Sequence, residues 1–150
     1  MNIYLRSVIA GFVATIALSV LMVAKAALGM LPGLDVIHML GNMAHNMIGV
    51  GGPAVGWLMH FLIGSVLWGL LFAALIGVLP GQSVIRKALV FATGAWLLMM
   101  LIPMPMAGAG LFGLNLGPMA PVMTLILHLF WGTVLGVVFR ALPTQPTQTA

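Results

Sequence analysis

The sequence predicts an all-α transmembrane four-helix bundle, and three observations carry that prediction. Of the 150 residues, 63% are hydrophobic and only 4% are charged, more apolar surface than a soluble globule of this size can hide. The apolar residues gather into four runs, each near the ~20 residues that cross a hydrocarbon core. The nine prolines lie at or near the ends of those runs, where helices start and stop. The expected spans are 5–29, 54–79, 84–102 and 120–141, within one domain covering 1–142. The remaining stretch, PTQPTQTA at 143–150, is a polar tail without core-forming side chains.

The first span carries small residues at four-residue spacing, Gly11, Thr15 and Ser19, a pattern that lets membrane helices approach closely. Lys25 lies near its far end, where a long aliphatic stem can snorkel to the interface. AKA at 24–26 resembles a signal-peptidase site, but the apolar run before it exceeds the ~7–15 residues of a signal-peptide core, so an uncleaved anchor is expected.

Between the first two spans, GLDVIHMLGNMAHNMIG (33–49) reads as a short interfacial helix. At 100° per residue Asp35, His38, Asn42, His45 and Asn46 fall on one arc, and the apolar residues fall opposite. The helix should begin near Asp35, whose carboxylate eases the positive helix end, and stop at Gly49.

The second span, HFLIGSVLWGLLFAAL from residue 60, returns in the fourth as HLFWGTVLGVVFRAL from residue 128. Pro53 and Pro121 each lie seven residues before the histidine, and Gly, Ser or Thr, Val and Leu follow at matching offsets. After one skipped residue, Trp68, the match resumes with Gly69 against Gly136 and Phe72 against Phe139. Two similar helical hairpins related by a pseudo-twofold axis along the membrane normal are therefore expected. His60 and His128 should share one depth, on the packing faces marked by Gly56 and Gly64 and by Thr124, Gly132 and Gly136. The third span ends at Pro103 and Pro105, and the glycine-rich connection 104–120 should form an interfacial or shallow re-entrant loop.

Arg6, Arg86, Lys87 and Arg140 are four of the five basic residues, and all fall on one side of the spans. That asymmetry predicts cytoplasmic termini. The same charges form no basic stripe, so no nucleic-acid partner is expected.

Absences narrow the chemistry. No cysteine is present, which removes thiolate ligands and nucleophiles. Asp35 is the single acid, so paired-carboxylate chemistry is not available within one chain. The glycines punctuate apolar helices and do not build phosphate loops. A non-enzymatic role is expected.

The histidines admit several readings. They can be packing residues, with a neutral imidazole donating to a carbonyl and accepting from a hydroxyl such as that of Ser65 or Thr133. They can ligate haem b as a pair, with Gly64 and Gly132 admitting the porphyrin edge. They can also handle copper, with His60 and His128 joined by His38, His45 or methionines, the ligand types that suit Cu(I). Of the 13 methionines only Met1 falls on the cytoplasmic side by this topology. Finally, the lipid-exposed faces and the four tryptophans could serve docking into a larger membrane complex or a homo-oligomer, although tryptophan also anchors helices at bilayer interfaces.

Three segments carry a family likeness: HFLIGSVLWGLLFAAL, WLLMMLIPMPMAGAGLFG (96–113) and TLILHLFWGTVLGVVFRAL (124–142). Together they resemble a family of small four-span bacterial integral membrane proteins of unknown function. The resemblance implies the architecture and, with the cytoplasmic termini, a multi-pass place in the bacterial inner (plasma) membrane; it implies no activity.

Overall fold

The computed structural model describes residues 1–144, and every described element is helical. Most of the expected polar tail, 145–150, lies outside the described residues. The helices are α1 (Ile3–Ala27), α2 (Val36–Ile48), α3 (Pro53–Leu75), α4 (Val84–Leu101), the single turn α5 (Pro103–Met106) and α6 (Ala120–Ala141). Four are long and apolar enough to cross a membrane: α1, α3, α4 continued through α5, and α6.

Local chemistry sets the boundaries. Asn2, Asp35 and Ser83 cap α1, α2 and α4 by accepting a backbone N–H with their side chains. Asp35 takes the His38 N–H at 3.0 Å, in the N-terminal role expected of it. Pro53 opens α3 at a position where its missing N–H is not needed. Gly49 ends α2 in the left-handed conformation (φ 75°), which costs a residue without Cβ little. After Leu101 the prolines do not stop the chain outright. Pro103 starts a fresh turn, and the connection then folds back through a 3-10 segment, Leu111–Leu116, with Phe112 and Gly113 both at positive φ.

Around the bundle the long helices run in the order α3, α1, α6, α4. α1 therefore lies between α3 and α6. Its small residues make the close contacts on one side: a Cβ on Gly11 would stand 2.8 Å from the Gly64 carbonyl oxygen, and one on Gly69 would stand 3.0 Å from that of Ser7. On the other side the Arg6 guanidinium donates to the Phe139 carbonyl (2.7 Å) and sits 4.3 Å from the centre of its ring. α6 meets α4 through Gly132 and Gly136 against Ala88 and Ala92. Phe72, Phe91, Trp131, Leu135 and Phe139 fill the core toward the chain termini.

The bundle is not closed all round. α3 reaches α4 only through its last two turns, where Trp68 and Phe72 meet Phe91 (ring centroids 5.9 and 5.4 Å apart). Toward the other end the two helices part, and α2 and the 102–119 connection cover that end. A second cluster of Leu34, Met100, Met104 and Ala109 holds the cover in place.

α3 is not uniform. Residues Leu62–Leu67 are π-helical, and Trp68 resumes the α-helix. A π segment accommodates one additional residue within an otherwise regular helix. It ends at Trp68, the residue that has no counterpart between His128 and Leu142.

Candidate functional site

Where α3 and α4 separate, an apolar cavity of about 160 Å3 opens. All six helices contribute to its wall, and both His60 and His128 line it. α3 holds His60, two residues before its π segment; α6 holds His128, one turn after Thr124. α1 stands between these helices and supplies the polar contacts that fix the first ring.

Those contacts also assign the protons. The Ser19 hydroxyl donates to the Thr15 carbonyl at 2.7 Å, which uses its only proton. His60 Nε2, 3.2 Å from Ser19 Oγ, is therefore the donor in that bond, and Nδ1 keeps the lone pair. His128 Nδ1 lies 2.8 Å from the Thr124 carbonyl oxygen, which can only accept, so here Nε2 keeps the lone pair. Among the described residues no carboxylate lies in the bundle: the sole acidic side chain, Asp35, caps α2. An imidazolium at either position would be an unpaired charge in an apolar wall.

These partners differ from the hydroxyls of Ser65 and Thr133 expected from sequence. Ser65 donates to the Phe61 carbonyl, and Thr133 donates to that of Leu129, each four residues back along its own helix. In an apolar surround a hydroxyl finds that carbonyl without needing a neighbour. Further down the wall, Trp131 Nε1 donates to Thr15 Oγ1 (3.2 Å), and Trp96 Nε1 donates to Thr124 Oγ1 (3.1 Å). Hydrogen bonds from indoles thus brace both turns that carry the histidines' partners.

Gly64 and Gly132, expected to admit the edge of a macrocycle, admit protein instead. A Cβ on Gly64 would stand 3.0 Å from Thr15 Cγ2, and one on Gly132 would stand 2.5 Å from Ala92 Cβ. Those approaches are filled, and the cavity's volume of about 160 Å3 is below the ~300–1,000 Å3 of a drug-sized pocket.

His38 and His45 do not join the pair. Both are exposed on α2, on the arc opposite Met39 and Met43, which turn into the cavity. His38 borders a separate cleft with Lys25, Asp35 and Trp57, while His45 packs its Cβ over Gly51. Among the described residues no three His, Asp or Glu side chains converge. Lys25, in the last turn of α1, reaches past the helix end and donates to the carbonyls of Met30, Leu31 and Leu34 at 3.0–3.1 Å.

Trp68 is the site residue that motif reading missed. It lines the cavity, and the signal for it was the single unmatched position between the two histidine segments.

The geometry defines a class: an all-α protein of four long apolar helices, splayed at one end around a cavity lined by two histidines. No curated protein and no solved structure matches the chain. It belongs to a family of unknown function, DUF6789, whose family model matches residues 1–150.

Proposed function

We propose that this is a non-enzymatic integral membrane protein of the bacterial inner membrane that binds a ligand in the cavity between His60 and His128. The observation that carries the reading is the shared cavity: two neutral imidazoles line one apolar space, each with one nitrogen engaged and the other left with a lone pair. A histidine kept only for packing has no need of a void beside it. Intramembrane ionisable side chains mark function more often than they mark stability.

Insertion is supported by the apolar residues left outside the bundle. Val20, Leu58 and Ile126 are each more than half exposed within their apolar helices, an unfavourable arrangement in water and the expected one in lipid. The basic residues Arg6, Arg86, Lys87 and Arg140 lie at the end that carries the termini, which supports a cytoplasmic placement of that end. α1 with α3, and α4 with α6, then form two similar hairpins, with α2 at the outer interface and the bilayer as the constant partner.

Two measurements test this. The chain lacks cysteine, so single cysteines introduced at Gln82 and Val50 report topology cleanly. Gln82→Cys should be labelled only from the cytoplasm and Val50→Cys only from outside; the reverse pattern, or labelling of both from one side, overturns the orientation. Native mass spectrometry of the detergent-extracted protein should show a bound species that is lost in the His60→Ala/His128→Ala protein. A wild-type chain with no bound species, or a variant that retains it, overturns the binding role.

A further inference from the structure

We infer that the cavity ligand is a soft monovalent cation, Cu(I), held by His60, His128 and methionine thioethers. This rests on the binding role proposed above and names its ligand class.

The argument starts from the heteroatoms on the wall that are not already engaged. Thr15 and Thr124 are engaged: their hydroxyls donate to the carbonyls of Gly11 and Ala120 and accept the two indole N–H groups. What remains is His60 Nδ1, His128 Nε2, the Trp68 indole N–H and the sulfurs of five methionines. Met22 comes from the end of α1, Met39 and Met43 from α2, Met99 from α4, and Met104 from α5. Apart from one indole, every free polar atom there offers an electron pair. An anion would meet no cation in the wall, and a ligand that only accepts hydrogen bonds would meet a single donor. The complement to such a wall is a Lewis acid.

Its hardness and charge follow from what else is missing. Calcium and magnesium require several oxygen ligands, and the wall has no carboxylate. A divalent ion would place two uncompensated charges in an apolar space; a monovalent ion places one, shared with polarisable sulfur. Imidazole with thioether is the donor set that suits Cu(I). Two indoles, Trp68 and Trp131, also line the cavity, and an indole ring attracts a cation held over its face.

The orientation of the rings fits the same assignment. Ligating histidines commonly donate their second N–H to a carbonyl or another fixed acceptor, which sets the tautomer and the ring plane. His128 does so to Thr124 and His60 to Ser19, which is in turn tied to Thr15. The methionines are also placed for access. Met22, Met39, Met43 and Met99 are half-buried around the cavity, in contrast to Met100, which is fully buried and approached by the Thr124 hydroxyl.

The test is an anaerobic titration of detergent-purified protein with Cu(I), in competition with a chromophoric Cu(I) chelator, and a parallel titration with Zn(II). One Cu(I) per chain is expected, with Zn(II) not retained. His60→Gln and His128→Gln should each weaken Cu(I) by more than the ~10–100-fold that loss of an orienting partner brings, and Ser19→Ala should fall within that range. Met39→Leu with Met43→Leu keeps volume and shape, so a packing role predicts unchanged affinity where ligation predicts at least a ~10-fold loss. Failure to hold Cu(I) against the chelator, or affinity indifferent to these substitutions, overturns the inference. Zn(II) bound as well as Cu(I), with the methionine variants silent, overturns the thioether set. A histidine-dependent organic ligand seen by native mass spectrometry with no Cu(I) binding would sink this inference alone; no bound species in either experiment would sink both.

Discussion

Gly64→Ala tests the contact on which the first imidazole's support depends. A Cβ at this position would stand 3.0 Å from Thr15 Cγ2 and 3.2 Å from Thr15 Cβ, and closer still to Thr15 Oγ1. Thr15 cannot simply rotate away, because its hydroxyl accepts from Trp131 Nε1 and donates to the Gly11 carbonyl. Overpacking of this kind costs about 1–3 kcal/mol. Losing the indole bond adds about 0.5–1.5 kcal/mol. Replacing a helical glycine returns up to about 1 kcal/mol, so the net expectation is a loss of roughly 1–3 kcal/mol. Thr15→Ala removes both atoms that obstruct most, leaving only the 3.2 Å approach to Cβ, which neighbours can absorb by a few tenths of an ångström. In that background Gly64→Ala should cost markedly less, with a coupling energy of about 1 kcal/mol or more. Reversible unfolding of the four proteins in detergent, followed by tryptophan fluorescence and circular dichroism, gives the cycle. Additivity within ~0.5 kcal/mol, or no loss in Gly64→Ala itself, would refute the claim that Thr15 fills this space.

Two further outcomes concern Gly94 and Trp68. Gly94→Ala on α4 meets nothing within 4 Å, so it should raise stability by about 0.5–1 kcal/mol in the same assay, and a loss would mean an unrecognised contact there. Deleting Trp68 should convert Leu62–Leu67 to regular α-helix while Gly69 keeps its place against Ser7 and Val8; the check is slower amide exchange across 62–67 with stability reduced but folding intact. Complete loss of folding would show that the π segment is not an absorbed insertion.

The long helices were legible because their punctuation is chemical. Pro53, Ser83 and Gly49 mark boundaries through a missing N–H, a capping hydroxyl and a left-handed backbone, and the observed ends lie close to those expected. α2 was legible as well, since the arc of Asp35, His38 and His45 is the face it leaves exposed. The far end of the second span was less so. α3 gives way to turns after Leu75, earlier than 79, and Lys87 donates to the Ile76 carbonyl there (2.7 Å). Helix order was not legible, because small-residue stripes on α1, α3 and α6 state that each packs closely without naming the partner. The histidines' hydrogen-bond partners were hidden for the same reason. Ser19 becomes a neighbour of His60 only once α1 lies against α3. The one-residue mismatch at Trp68 was visible, but its outcome as a π segment required the backbone.

The hydroxyls of α1 bear on how such a chain is made. Thr15 and Ser19 donate to the carbonyls of Gly11 and Thr15 on their own helix, so neither relies on a later segment for a proton acceptor. In a bilayer α1 can therefore leave the ribosome first and wait as a stable lone helix. Both helices that pack on it, α3 and α6, come later in the chain.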